Sequence, residues 1–423
     1  MYRQFWIHVV LCATLSWPAV SSGEPAPEPL SLETALTVSR QNYRLREAAR
    51  ARVEEARGDL TLASYLLVYN PELNVSIGPR YPSDPIRDRT TDYEIAIGQR
   101  FEIAGQRGHR IDQAEGLLLA TESEVRDVER VIDLAVSGIF YQTLAATERL
   151  GLREEAEELA VGLFAVAQHR LDRGDGTPLA LNTARIRLAE ARRRALVTRA
   201  ELEQSLLSFA EILGLPLPSE HPFVLDGELP TSQGEPSEDD LVQMALQNRP
   251  DLAARTHTVE AATALVELTR SEAWPDLSVG FSYERDELDD KYQGQLNIPL
   301  PFFNRNQGPI ARARGTLRRA SAEAEAIRLA IGSEVRRAYS AFDQARRAAE
   351  LYDAEVLAAQ KESLDLLLLA FRAGEVGYAD VILVQRELLD GREGYLDARL
   401  ALALARAGLL AASNLEQTSQ LAQ

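Results

Sequence analysis

The chain has 423 residues, enough for two or three domains, and carries 46 basic against 64 acidic side chains for a net charge of -18. That balance argues against a nucleic-acid partner, which selects for a basic surface. With one cysteine in the whole chain, Cys12, neither a disulfide framework nor a thiolate site is available.

In chain order, residues 1–23 read as a secretory signal: Arg3 supplies the charged start, Phe5 to Leu15 the apolar core, and Ser21-Ser22-Gly23 the small-residue exit. Cys12 falls inside that core and follows Leu11, which is unsuited to lipid attachment. No later stretch offers ~18 uninterrupted apolar residues, so no transmembrane helix is expected. A first unit over 24–213 then runs helix, strand (72–80), strand (91–103), and a helical hairpin turning near 174–178. A proline-rich linker follows over 214–240. A second unit over 241–413 repeats the plan, with strands at 276–284 and 292–300 and a hairpin turn near 374–377; residues 414–423 form a tail.

The repeat is legible residue by residue. "LDRGDGTPLALNTARIRLAEA" at Leu171 matches "FRAGEVGYADVILVQRELLDG" at Phe371, with Gly174 over Gly374 and Leu188 over Leu388. "NPELNVSIG" at Asn70 matches "WPDLSVGFS" at Trp274, and "SRQNYRL" at Ser39 matches "ALQNRPDL" at Ala245. Proline is absent from Ile86 to Thr177 and from Ile310 to the end, and good helix formers fill both tracts. Gly174, Gly176, Gly374 and Gly377 mark the tips where the long helices reverse. A helix from Gly108 to Arg173 would be roughly 100 Å long, more than an ordinary globular domain holds.

The strands alternate strictly. Leu73, Val75 and Ile77 share one face; Tyr93, Ile95, Ile97, Phe101 and Ile103 oppose Glu94, Arg100 and Glu102. Leu277, Val279, Phe281 and Tyr283, then Leu296, Ile298 and Leu300, repeat this in the second unit against Gln293, Gln295 and Asn297. Such alternation serves a membrane β-barrel, apolar toward lipid and polar toward the lumen, although a half-buried soluble sheet alternates in the same way. Tyr93, Tyr283, Tyr292, Phe302 and Phe303 lie near strand ends, where aromatics anchor at a membrane interface. Four strands cannot close a barrel, and open edges are not tolerated in lipid, so several chains would have to contribute to one barrel.

These residues carry a resemblance. The duplicated "RAGEVGYADVILVQRELL" pattern, the "NPEL" and "WPDL" strand entries and "LPFFNRNQG" resemble the TolC family of outer-membrane efflux ducts. The last motif, with "FEIAGQRG" in the first half, is similar to the branch that serves cobalt–zinc–cadmium resistance pumps. The resemblance implies a mainly α fold with a small β part. It implies a homotrimer with a 12-stranded barrel in the Gram-negative outer membrane, continued by a long α-helical barrel in the periplasm. An inner-membrane RND pump and a periplasmic adaptor would complete the path. It also implies a periplasmic gate at the hairpin tips, for which Asp380 and Phe371 are the candidates. The first repeat has Ala180 at the place equivalent to Asp380, and Phe371 stands where the family has a tyrosine. Asp380 is equally suited to cap a helix N-terminus.

No reactive constellation accompanies this plan. His8, His109, His169, His221 and His257 have no neighbours at metal-ligand spacing, and no nucleophile–base pair or phosphate loop is present, so no catalytic residue, cofactor or metal is expected. The acidic run Glu154, Glu155, Glu157 and Glu158 reads as a solvated helix face or an adaptor contact. Asp286, Glu287, Asp289 and Asp290 read as an outward loop. Two other readings stand beside the duct for metal cations: a soluble periplasmic coiled-coil adaptor or scaffold, and a duct of the same family for drugs or other organic compounds.

Overall fold

The computed structural model describes residues 29–80, 90–216, 224–230, 236–286, 289–352, 354–373 and 375–415. The expected signal segment, Glu287 and Gly374 lie outside these residues. The first half comprises α1 (Leu32–Asn42), α2 (Arg44–Ser64), β1 (Glu72–Arg80), β2 (Thr90–Phe101), α3 (Gln106–Asp172) and α4 (Pro178–Leu213). The second comprises α5 (Glu238–Asn248), α6 (Pro250–Ser271), β3 (Leu277–Asp286), β4 (Asp289–Asn297), α7 (Gln307–Glu350), α8 (Ala354–Ala373) and α9 (Tyr378–Ser413). Among the described residues the fold is mainly α with one small antiparallel sheet.

Equivalent helices start on equivalent chemistry. Ser31 and Ser237 cap α1 and α5 by accepting the N–H of Thr34 and Asp240. Thr177 caps α4 through Ala180, with Pro178 in the first turn, where a missing N–H costs nothing. The α3 helix has 67 residues, a rod of about 100 Å.

Two cores lie along the helices. In one, α1 covers the long hairpin through Leu32, Leu36, Val136, Phe140, Phe209 and Leu213. In the other, α5 plays the same part through Leu241, Val242, Ile331, Val335 and Phe342. The α9 helix joins them, giving Leu396, Ala403 and Ala407 to the first and Leu402, Leu409 and Ala412 to the second. Close approach between α3 and α6 needs Gly116, where a Cβ would meet Ala261 Cβ at 2.9 Å. Part of the proline-rich linker packs into this region: Leu225 bridges Leu30, and Leu229 is buried in the first core.

The α7–α8 interruption was not legible from the proline map. Asp175 and Glu375 occupy equivalent turn positions, each donating its N–H to the carbonyl five residues earlier. Counted from the helix starts at Gln106 and Gln307 to these turns, the second repeat is one residue shorter. One residue rotates a helix face by about 100°, so a continuous helix would turn the tip side chains away from their partners. The helix of the second repeat is interrupted at Leu351 and Tyr352, between α7 and α8. Tyr352 then lies over α9, its hydroxyl 2.7 Å from where a Cβ on Gly394 would stand.

The sheet order is β1-β2-β3-β4, all antiparallel, and the β2–β3 ladder from Tyr93↔Arg285 to Phe101↔Leu277 joins the two halves. The fourth strand was expected at 292–300; it spans Asp289–Asn297 instead. Pro299 and Pro301 cannot donate to a ladder, and pairing begins directly at Asp286↔Asp289. Asp286, Asp289 and Asp290 are therefore strand residues rather than an outward loop, and the Tyr283 hydroxyl donates to Asp290 at 2.8 Å.

A buried charge cluster fixes the start of α6. Arg249 donates to both Asp251 oxygens (3.1 and 2.7 Å), pairs with Glu334 at 2.9 Å and donates to the Ala412 carbonyl. Burial alone would raise the Asp251 carboxyl, but the hydrogen bond and charge of Arg249 outweigh it and hold the group below its ordinary value. The folded state thus binds this proton less readily than the unfolded chain. Its contribution is present above the ordinary aspartate value near ~pH 4 and is lost as pH falls through the depressed one. In acid titrations of thermal stability, Asp251→Asn should flatten the decline below about pH 4, at the cost of lower stability at neutral pH.

Candidate functional site

The register divides the sheet into two faces. Leu73, Val75 and Ile77 stand across from Ile97, Ile95 and Tyr93; Ile97, Ile95 and Phe101 stand across from Phe281, Tyr283 and Leu277; Val279 and Tyr283 stand across from Leu296 and Tyr292. This apolar face has no cover: Leu73 is 67 % exposed, Ile77 72 % and Leu296 66 %. The other face carries Ser76, Glu94, Ala96, Arg100, Ser282, Glu284, Lys291, Gln293 and Gln295, with Lys291 Nζ 4.0 Å from Glu284. A water-soluble half-buried sheet would have this asymmetry with its apolar side packed on helices. Here the apolar side points outward.

The expected interface aromatics form two groups. Tyr93, Tyr283 and Tyr292 gather at the hairpin end of the sheet, with ring centres 5.9 Å apart for Tyr93–Tyr283 and 5.2 Å for Tyr283–Tyr292. Phe302 and Phe303 lie at the helix end, Phe303 being 96 % exposed. Exposed Tyr65, Leu66, Trp274 and Leu300 accompany them at that end. Trp274, at the β3 entry directly after a helix, was not among the aromatics expected at the interface.

The bend from sheet to helix is built twice with the same device. Gly105 and Asn306 take the left-handed conformation at the N-caps of α3 and α7 (φ 78° and 59°). The next residue, Gln106 or Gln307, folds its side-chain oxygen back to accept the N–H of Ala104 or Arg305, at 2.7 Å in both cases. Asn306 Nδ2 also donates to the Thr269 carbonyl at 2.7 Å, and Arg100 pairs with Asp276 at 2.7 Å. Strand direction and helix direction are locked together at this joint.

At the opposite end lie the hairpin tips. Gly174 has φ 83°, and a Cβ on Gly176 would stand 2.6 Å from the Leu171 nitrogen. Gly377 is the N-cap of α9, and its N–H donates to Asp380 Oδ2 at 3.0 Å. Asp380 is exposed and forms this cap. Phe371 is 2 % exposed, packed with Leu163 and Val381 between the two hairpins. The acidic run on α3 is matched by arginines: Glu154 by Arg199 (2.7 Å), Glu155 by Arg392 (2.6 Å) and Glu157 by Arg192 (3.4 Å). Further cross-repeat pairs, Glu148–Arg399, Arg149–Asp397 and Arg153–Glu393, extend the α3–α9 ladder. Burial pushes the Glu393 carboxyl up although Arg153 and Arg149 draw it down.

His109 approaches Asp112 (4.0 Å) and His257 approaches Glu260 (2.9 Å). Among the described residues no group of three side chains is placed to hold a metal ion.

An exposed apolar sheet with open edges, continued by long helices of which α3 reaches about 100 Å, defines a protomer of a channel that crosses a membrane by shared strands. Residues 38–215 and 241–415 match the family model described as "Outer membrane efflux protein". The chain belongs to that family of outer-membrane channels, whose members form trimers that work with periplasmic adaptors and inner-membrane RND pumps and are not enzymes. It is 28 % identical over 375 residues to the cobalt-zinc-cadmium resistance protein CzcC of Cupriavidus metallidurans, covering 88 % of this chain and 87 % of that protein. It is 24 % identical over 426 residues to the pyoverdine export outer membrane protein OpmQ of Pseudomonas putida, covering 93 % and 86 %. A crystal structure of CusC matches with a TM-score of 0.73 at 21 % identity, covering 92 % of this chain and 93 % of that one.

Two expectations follow from this geometry. If Phe302 and Phe303 anchor at a membrane interface as expected, replacing both with aspartate costs roughly 0–1 kcal/mol each and more with depth. The yield of assembled protein in outer-membrane fractions should fall, while the helical circular-dichroism signal persists. Asp380→Ala removes the α9 cap and should lower thermal stability by about 1 kcal/mol. Asp380→Asn, which keeps an acceptor, separates the roles: changed ion preference at unchanged stability marks a gate charge, and the reverse marks a cap alone.

Proposed function

We propose that the chain is the outer-membrane exit duct of a tripartite RND-type system that exports heavy-metal cations. In this reading, 24–213 and 241–413 are the two repeats, 214–240 joins them, and three copies supply a 12-stranded barrel and the periplasmic tube beneath it. The observation that carries the reading is the four-stranded sheet whose outward face is apolar and exposed while β1 and β4 keep free edges among the described strands. Neighbouring copies can satisfy those edges, and lipid can cover that face. A soluble scaffold would leave both exposed to water.

Support for metal cations comes from the likeness to the cobalt-zinc-cadmium resistance protein and from the negative balance of the chain, which favours cations along a wide passage. The similarity to the pyoverdine exporter favours a second cargo, an organic compound. Detergent-solubilised protein should have the mass of a trimer and form channels in planar bilayers; a stable detergent-free monomer would overturn the duct. Expression in a strain lacking its metal-efflux ducts, with the cognate adaptor and pump, should restore growth in cobalt, zinc or cadmium. Restored resistance to organic compounds alone would assign the second cargo.

A further inference from the structure

A hollow of about 480 Å³ lies where the outward apolar face of the sheet meets the helices. It is lined by Ile103 beyond β2, His109 in the first turn of α3, Glu267 and Arg270 near the end of α6, and Trp274 before β3. Ile103 continues the alternation of Ile95, Ile97 and Phe101, so the apolar face runs straight into the hollow. Ile103 and Trp274 are both exposed. They flank β2 and β3, the two central strands. The hollow therefore lies under the middle of the sheet, not under β1 or β4, the edges that neighbouring copies would take.

The far wall is charged. Arg270 Nη1 stands 2.6 Å from Glu267 Oε1, and both side chains are about half exposed. An exposed pair of this kind contributes little and can exchange its partners. Arg270 lies in the last turn of α6, where a cation complements the helix dipole. The hollow thus offers a cation, an anion one turn away, and an apolar wall ending at an indole. A lipid headgroup with both a phosphate and an ammonium is the complement of that set. Indole rings favour this level of a membrane, apolar on one side and wet on the other. The volume falls within the roughly 300–1,000 Å³ of small-ligand pockets. In the first repeat Asn70 stands where Trp274 does, so the duplicated plan itself does not require an indole at a strand entry.

We infer that this hollow binds a zwitterionic aminophospholipid, with Arg270 on the phosphate, Glu267 on the ammonium, and Ile103 and Trp274 along the start of the acyl chains. This rests on the duct reading, in which the helix end of the sheet meets the periplasmic leaflet.

The test uses the full-length trimer, delipidated in detergent, with phosphatidylethanolamine or phosphatidylglycerol of the same acyl chains added. Native mass spectrometry reads the lipid retained, and thermal melting reads the stabilisation. Wild type should retain phosphatidylethanolamine about tenfold better than phosphatidylglycerol. Arg270→Gln should lower that retention about tenfold and remove most of the melting shift, and Arg270→Lys should recover both. Glu267→Gln should abolish the preference between the two lipids, because only the ammonium needs the carboxylate. Equal retention of both lipids by wild type, or unchanged retention by Arg270→Gln, would overturn the site. Free phosphoethanolamine in excess should displace little lipid, since it lacks the chains that Ile103 and Trp274 contact; full displacement would assign the hollow to a soluble compound and overturn the lipid. Should Arg270→Gln not assemble, Trp274→Leu is read in the same way, with lost retention supporting the site and unchanged retention overturning it. Wild type that forms no trimer in detergent would overturn the duct itself. A wild-type trimer that retains neither lipid would overturn the site alone.

Discussion

Unpaired backbone groups are costly in hydrocarbon, and the architecture depends on that constraint. Four strands carry an apolar outward face, yet they are too few to close on themselves, so β1 and β4 end the sheet with free N–H and C=O groups. The chain cannot sit in lipid alone. The duplication answers half of the problem: β2 from one repeat and β3 from the other pair over nine positions, so two weak hairpins become one sheet. The other half falls to further copies, as in the trimers of this family.

The same duplication organises the helical part. α1 and α5 have 11 residues each, and α4 and α9 have 36 each, so equivalent pieces cover equivalent faces. Perfect symmetry fails in the long helices. The first repeat has one unbroken rod, and the second is interrupted between α7 and α8. The cross-repeat ion pairs between α3 and α9 sit beside that interruption, from Glu148–Arg399 to Glu155–Arg392. Pairs of this kind contribute little singly, but they set which helix faces meet.

Family and cargo are carried by different features. The sheet, the joint and the hairpins are properties of one chain, and they define the family. Selectivity among ions or compounds depends on a passage bounded by several copies and fed by a pump. No compact ligand set on this chain needs to record the cargo. The likenesses to a metal-resistance protein and to a pyoverdine export protein reflect the same separation.

What the sequence by itself determined is whatever rests on local periodicity. Alternation placed the strands and assigned Leu73, Ile77, Ile95 and Phe281 to one face. The proline map and the paired Gly turns placed the long hairpins. What only the tertiary structure decided involves partners distant in sequence. It ended β4 at Asn297, because ladder pairing from Asp286↔Asp289 and the prolines beyond set its reach. It broke the second long helix between α7 and α8, where no proline marks the interruption. It turned Glu154, Glu155 and Glu157 from a bare acidic face into partners of arginines on α4 and α9. It also laid Arg170 across Phe371, a contact between residues 201 apart that no local pattern announces. Periodicity reports which side of an element is apolar; which element meets it is set by packing.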